Sequence, residues 1–190
     1  MRASGYAKIE HEFYQEEPYA VDALVAVEPP IPSGVHDPCC GEGTIPKRLR
    51  RHGIGAVGSD LVRRWDDMLG KGDFRDLVPF WHPKIIISNP PFSQWKDLVD
   101  IGFQAGAERI CLLLPIQRLE GITAYSWYRQ GKLARFWAPS RRIRIWPGSA
   151  PPEKRKGGST TYAWFVFEAA HNATSWQGGW LPLPEELTHG

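Results

Sequence analysis

The chain is predicted to fold as an α/β domain, a mainly parallel sheet with helices on both faces. Strand-like and helix-like segments alternate along it, the pattern of strand–helix–strand units. The branched apolar runs Ile85-Ile86-Ile87 and 110–114 are continuous rather than alternating, as suits strands buried on both faces. A glycine turn, Gly41-Glu42-Gly43, stands where a first strand should meet a helix, and glycines there let a ligand approach the backbone.

In chain order, residues 18–27 read as a helix stopped by Pro29-Pro30, and 33–36 as a short strand running into the glycine turn. Thr44 resembles a helix N-cap, Pro46 suits a first turn, and Gly53 ends the helix. Residues 54–59 form the second strand, ending at Asp60, and a short helix is expected over 65–69. Ile85–Ser88 is a buried strand, 95–105 an amphipathic helix, and 110–114 another strand. Residues 142–146 and 162–168 are expected to pair, with 147–158 as a long loop between them. From 176 to 190 the chain is rich in Gly and Pro, and no regular structure is assigned.

At 190 residues, a single domain with a sizeable core is expected. No apolar run approaches the ~20 residues of a bilayer span, and Met1-Arg2-Ala3-Ser4-Gly5 has no signal-peptide core, so a cytoplasmic protein is expected. Three cysteines, Cys39 and Cys40 adjacent, give neither a disulfide framework nor a zinc spacing, so no metal is expected. The net charge of +2 is too small to argue for nucleic acid by itself, but its distribution says more. Arg129, Lys132, Arg135, Arg141, Arg142, Arg144, Lys154, Arg155 and Lys156 crowd one stretch in which Glu153 is the only acid. A run this one-sided is a candidate for phosphate contact, beside the ordinary reading as a solvated face.

The most informative stretch is Asn89-Pro90-Pro91-Phe92, at the end of the Ile85–Ser88 strand. Proline lacks an N–H and stiffens the residue before it, so acceptors crowd here with few internal donors. The Asn89 side-chain oxygen and the Pro90 carbonyl can grip the hydrogens of a planar amine while Phe92 stacks on its ring. On the other side of the site, Gly41-Glu42-Gly43-Thr44-Ile45-Pro46 lacks the third small residue of a dinucleotide fingerprint. Glu42 within the turn would repel a pyrophosphate, whereas an acidic loop suits a cation such as an amino-bearing sulfonium. Asp60, ending the next strand, can accept ribose hydroxyls. Asp73 can accept from an adenine amino group while the Phe74 N–H meets the ring.

Asp37-Pro38-Cys39-Cys40-Gly41-Glu42-Gly43, the acidic Asp60, Gly72-Asp73-Phe74 and Ser88-Asn89-Pro90-Pro91-Phe92 resemble, in that order, the motifs of the S-adenosylmethionine-dependent amino methyltransferases, particularly the adenine-N6 DNA enzymes. Phe13-Tyr14-Gln15-Glu16-Glu17-Pro18 resembles that family's N-terminal segment, which packs on the methionine end of the cofactor. The resemblance covers roughly residues 13–168 and implies a Rossmann-like class I methyltransferase fold, with a seven-stranded sheet and a closing antiparallel hairpin. It implies S-adenosyl-L-methionine as cofactor and S-adenosylhomocysteine as product. Tyr14, Pro18, Asp37, Pro38, Cys39, Gly41, Gly43, Thr44, Ile45, Asp60, Leu61, Asp73, Phe74 and Asn89 would hold the cofactor. Asn89, Pro90, Pro91 and Phe92 would be catalytic, acting on adenine in single-stranded DNA or flipped from a duplex. Arg129, Lys132, Arg141, Arg142, Lys154, Arg155 and Lys156 would meet its phosphates.

There are departures. Glu17 precedes Pro18 where the family usually shows a small polar residue such as Thr, and there is no room for a separate target-recognition domain. Sequence reading would then fall to 117–139 and 147–158, and the compact build is that of a phage or mobile-element enzyme by analogy. RNA adenine or guanine methyltransferases share the Asn-Pro-Pro-aromatic segment. So do release-factor glutamine methyltransferases, in which the aromatic is typically Tyr. A nucleic-acid-binding module without chemistry is the reading from another class.

Overall fold

The computed structural model describes residues 13–188 apart from Ser149, Pro152, Lys154, Lys156 and Gly157. Strands β1 (Tyr14–Glu16), β2 (Val35–Asp37), β3 (Ala56–Asp60), β4 (Gly70–Lys71), β5 (Ile85–Ser88), β6 (Arg109–Pro115), β7 (Leu133–Ala138), β8 (Ile145–Pro147), β9 (Tyr162–Glu168) and β10 (Gln177–Trp180) interleave with five α-helices. These are α1 (Tyr19–Val27), α2 (Thr44–Arg51), α3 (Phe74–Trp81), α4 (Trp95–Gln104) and α5 (Ile122–Tyr128), with 3-10 turns at Ile116–Leu119 and Pro184–Thr188.

Among the described residues, one eight-stranded sheet runs in the order β10-β7-β9-β6-β5-β2-β3-β4. All neighbours from β6 to β4 are parallel, and β9 lies antiparallel between β6 and β7. The seven strands from β7 to β4 form the expected sheet, and β10 adds an eighth, parallel to β7. Period-2 alternation loads both faces, as a sheet covered on both sides requires. Ile85 and Ile87 point into one core with Leu24 of α1 and Leu49 of α2. Ile86 points into the other, with Val78 of α3 and Leu98 of α4. The same split repeats in β6 and β9, where Leu113 and Trp164 face one core and Leu112 and Phe165 the other.

Several expectations are corrected. Residues 65–69 are not helical, because Trp65 and Met68 turn inward to pack with Cys40 while the Leu69 N–H bonds the Gly58 carbonyl at 2.7 Å. The helix begins instead at Phe74, where the Asp73 carboxylate caps it by accepting from the Arg75 N–H at 2.8 Å. Thr44 is the first helical residue rather than the cap, a position held by Gly43 in left-handed geometry. The expected pairing of 142–146 with 162–168 does not form. Here β8 pairs with β1, and the antiparallel partner of β9 on its outer side is β7. The tail is not irregular, since it carries β10 and the Pro184–Thr188 turn.

Candidate active site

Strands β2, β3, β5 and β6 point the same way, so Asp37, Asp60, Ser88 and Pro115 end them on one carboxyl edge. The chain order reverses between β2 and β5, and ligands bind at such a switch point in open α/β sheets. Ser88 spans that point: its hydroxyl donates to Asp37 Oδ1 at 2.7 Å, and the Cys39 N–H reaches the same oxygen at 3.1 Å. The Asp37–Gly43 loop and the Asn89–Phe92 motif are thereby joined at their roots.

On the loop side, Gly41 and Gly43 adopt φ of 52° and 77°, the left-handed region that side chains avoid. A Cβ at Gly41 would lie 2.1 Å from the Phe13 ring, and one at Gly43 2.5 Å from the Trp65 ring. Asp60 holds the loop by accepting from the Gly41 N–H at 2.9 Å, and also receives the Val62 N–H and the Arg64 guanidinium at 3.0 Å. Arg64 in turn lies over the Phe13 ring, 4.7 Å from its centroid. Leu61 follows Asp60 and is exposed, and the Gly72 N–H bonds the Asp60 carbonyl, bringing the Asp73 turn beside it. Asp73 itself is engaged by Arg75, and Phe74 is buried beneath that guanidinium. Ile45 is a core residue, 1 % exposed, leaving its backbone N–H alone for a ligand. Burial pushes the Cys39 and Cys40 thiols up, with Asp37 and Asp60 adding to the shift, so neither is a thiolate.

On the motif side, Asn89 is buried and its amide is fixed by β1. Nδ2 donates to the Tyr14 carbonyl at 3.1 Å and to Glu16 Oε2 at 2.9 Å. Two acceptors on one side demand the nitrogen there, which sends Oδ1 the other way, where it is buried with no hydrogen-bond partner among the described residues. The Pro91 carbonyl closes a turn with the Gln94 N–H at 2.9 Å, starting α4. Phe92 contacts Tyr14, stacked at 6.1 Å, and Tyr162, tilted at 5.5 Å. Tyr14 therefore packs with the Asn89–Phe92 motif rather than with the Asp37–Gly43 loop alone.

Sequence reading missed Glu16. Burial pushes its carboxyl up to about 7, against a smaller downward pull from the Asn89 N–H. Asp37 is raised well above the usual carboxylate range, again chiefly by burial, with Ser88 pulling down and Glu16 adding to the rise. A cleft of about 370 Å³ opens at Glu16, lined also by Gln15, Pro18, Thr44, Arg144 and Arg155. A larger hollow of about 520 Å³ lies under Trp180 and Leu181, away from every residue of the motifs.

The basic run does not form one free face. Arg135 is gripped by Glu28, at 2.8 Å, and by Glu168, at 2.6 Å. Arg141 and Arg144 both bind Glu17, at 2.9 Å and 3.2 Å, and Arg141 also covers the Tyr19 ring. Glu17 thus ties the β1–α1 junction to the start of β8. Lys132 donates to the Ala169 carbonyl, Arg129 lies over Tyr125, Arg142 reaches the Gly158 carbonyl and Arg155 that of Ala150. Lys154 and Lys156 fall outside the described residues.

Strand order and the paired glycine and Asn-Pro-Pro-Phe loops decide the architecture. The fold is that of the Rossmann-like class I methyltransferases. A chain described as a modification subunit of a type I restriction enzyme from Vibrio vulnificus matches with a TM-score of 0.52 at 12 % identity, covering 93 % of this chain and 48 % of that one. The present chain thus spans about half the length of that structure. A protein described as an RNA methyltransferase from Pyrococcus horikoshii matches at 0.52 with 16 % identity, over 80 % of this chain and 81 % of that one. A dimethyladenosine transferase from Plasmodium falciparum matches at 0.53 with 10 % identity, over 80 % and 62 %. No protein-family model and no curated protein matches the chain. Among the described residues, no cluster of His, Cys, Asp or Glu is placed to hold a metal, and no helix is long and apolar enough to cross a membrane.

Proposed function

We propose that this chain transfers a methyl group from S-adenosylmethionine to the N6 amino group of adenine in DNA. The observation that carries the reading is Asn89 Oδ1, a buried acceptor with no partner among the described residues, at the switch point of the sheet. Buried polar atoms are satisfied in native structures with few exceptions, so this one waits for a donor. An exocyclic amine brings that donor.

The residues present fit the cofactor. Gly41 and Gly43 hold the loop in left-handed geometry with the Phe13 and Trp65 rings packed where side chains would stand, and Asp60 supplies a ribose acceptor at the end of β3. Glu16 and Asp37 are carboxyls raised by burial, a charge pattern that a cationic ligand relieves. When bound, S-adenosylmethionine supplies a methyl group activated on a sulfonium. The chain's own part is to prepare the amine. Asn89 Oδ1 accepts one amino hydrogen, with the Pro90 carbonyl beside it for the other. Both stabilise the positive charge that develops on nitrogen as its lone pair is taken, and neither must reorganise to do so. Phe92 offers a face to the base, backed by Tyr14 and Tyr162, and such stacking is worth about 1–3 kcal/mol.

DNA is the favoured substrate on the motif resemblance and on the restriction-modification likeness. Arg129, Arg142 and Arg155, with Lys132, Lys154 and Lys156, are the residues proposed to meet phosphate. Arg141 acts instead through Glu17. Nucleoside mass spectrometry on DNA and RNA from cells expressing wild type or Asn89→Ala tests the whole reading. N6-methyladenine should rise in DNA with wild type only, and in vitro the variant should lose about 10²–10³-fold in kcat. A methylated base confined to RNA would move the substrate, and no methylation of either would overturn the proposal.

A further inference from the structure

Resting on that reading, we propose that Glu16 is a positioning residue for the transfer: its carboxylate orients the Asn89 amide so that Oδ1 faces the target amine, and ties that orientation to pH. The geometry is a three-point hold. Strand β1 is pinned to β8 with Glu16 opposite Ile145, which fixes the backbone from which the carboxylate projects. From there the Tyr14 carbonyl and Glu16 Oε2 take the two Nδ2 hydrogens of Asn89. No hydrogen of the amide is left over, so it cannot turn without losing both bonds.

Neighbouring carboxylates show that this is not ordinary packing. Glu17, next in the chain, is neutralised by Arg141 and Arg144. Glu28, with a fully buried side chain, is neutralised by Arg135 and Arg109. Glu16 is 5 % exposed, and among the described residues no Lys or Arg pairs with it. A buried carboxylate without a cation is costly. What it provides is a charged acceptor that polarises the Asn89 amide, making Oδ1 a stronger acceptor for an amine hydrogen.

Protonation reverses this. A neutral Glu16 is a weaker acceptor for Nδ2, and its new O–H is a donor that favours an amide turned to bring Oδ1 toward Glu16 and away from substrate. Because burial holds Glu16 near 7, that change falls in the physiological range. The groups facing it from other elements are Asp37 at the end of β2 and the Cys40 thiol of the glycine loop, both raised. Thr44 and Gln15 share its cleft with Arg144 and Arg155. Asp37 is thus the other group able to titrate nearby, and it needs its own variant.

The test reads the amide directly, without cofactor. In ¹⁵N–¹H spectra between pH 5 and 9, the Asn89 side-chain pair, assigned by its loss in Asn89→Ala, should shift with a midpoint near 7. The shift should vanish in Glu16→Gln, whose amide oxygen can still accept from Nδ2, and survive in Asp37→Asn. A pair that stays still in wild type, or moves equally in Glu16→Gln, overturns the inference. Methyl-transfer kcat should fall about tenfold per pH unit below the midpoint in wild type, and lose that acid limb in Glu16→Gln while keeping part of its activity. Glu16→Asp, whose shorter side chain keeps the charge, should retain an acid limb at lower kcat if Glu16→Gln does not fold. An amide that titrates in a protein with no transferase activity would sink the proposed function and leave the Glu16–Asn89 coupling standing. An acid limb unchanged in Glu16→Gln would do the reverse.

Discussion

Replacing Glu16 with Gln should make the protein more stable in alkaline solution, although it removes a residue of the site. The folded carboxyl binds its proton up to about 7, whereas its ordinary value is 4.5. Between those limits the folded state holds more protons than the unfolded one, so stability falls as pH rises. The deficit is absent below 4.5, grows through the interval, and is constant above 7. At about 1.4 kcal/mol per pH unit it reaches about 3 kcal/mol. Gln removes this deficit, but its bond to Asn89 is neutral and weaker by about 1 kcal/mol at any pH. The quantity to measure is therefore the change in the wild-type-to-variant difference between pH 5 and pH 8, by urea unfolding. For a chain of this length about 3 kcal/mol corresponds to a relative gain of about 6–12 °C in Tm at the higher pH. Asp37 moves in the same direction, chiefly through burial that both proteins share, so most of its contribution cancels and only the smaller part owed to Glu16 is lost with it. A difference that does not change with pH would refute the reasoning, because it would mean that Glu16 ionises in the folded protein as it does in the unfolded chain.

Other expectations follow from the same geometry. Arg135→Met leaves Glu28 buried without its bidentate partner and should lower stability by about 3–5 kcal/mol in urea melts, with nucleic-acid affinity unchanged. Asp60→Ala should weaken S-adenosylmethionine binding at least about tenfold in calorimetric titration, since it removes both the proposed ribose acceptor and the bond to the Gly41 N–H; unchanged affinity would remove Asp60 from the site. Replacing Lys154, Arg155 and Lys156 together by Ala should flatten the salt dependence of DNA binding, by about 0.9 in log–log slope for each phosphate that is no longer neutralised. An unchanged slope would clear that loop of any role at the phosphates.

What the sequence made legible was local. The Ile85–Ser88 strand, the glycine loop and Asn89–Phe92 each carry their signal within a few residues, and the structure brings them to one edge. What it hid depends on distant partners. Glu16 gives no sign of its role because Asn89 lies 73 residues away. β7 reads as part of a basic run because Arg135 interrupts an otherwise apolar Leu133–Ala138, and only Glu28 and Glu168 explain that arginine. Pro79 inside α3 disguised an eight-residue helix, and the paired glycines of Gln177–Trp180 disguised β10. The strand expected at 142–146 does exist at Ile145–Pro147, but which neighbour it chose was beyond any short-range pattern.

The β1–β8 ribbon sets the order in which the site comes into being during synthesis. Tyr14 pairs with Pro147 and Glu16 with Ile145, so β1 has no strand partner until those later residues have left the ribosome. Until then the β2–β6 layers can assemble, with the glycine loop and the prolines of the motif in place, but the Asn89 amide has nothing to hold it. Completion of the candidate site comes late, when the emerging β8 captures a segment made long before it and β9 follows to bring Tyr162 onto Phe92. A nascent chain therefore holds its glycine loop and Asn-Pro-Pro-Phe motif well before β1 has the strand partner that brings Glu16 onto Asn89.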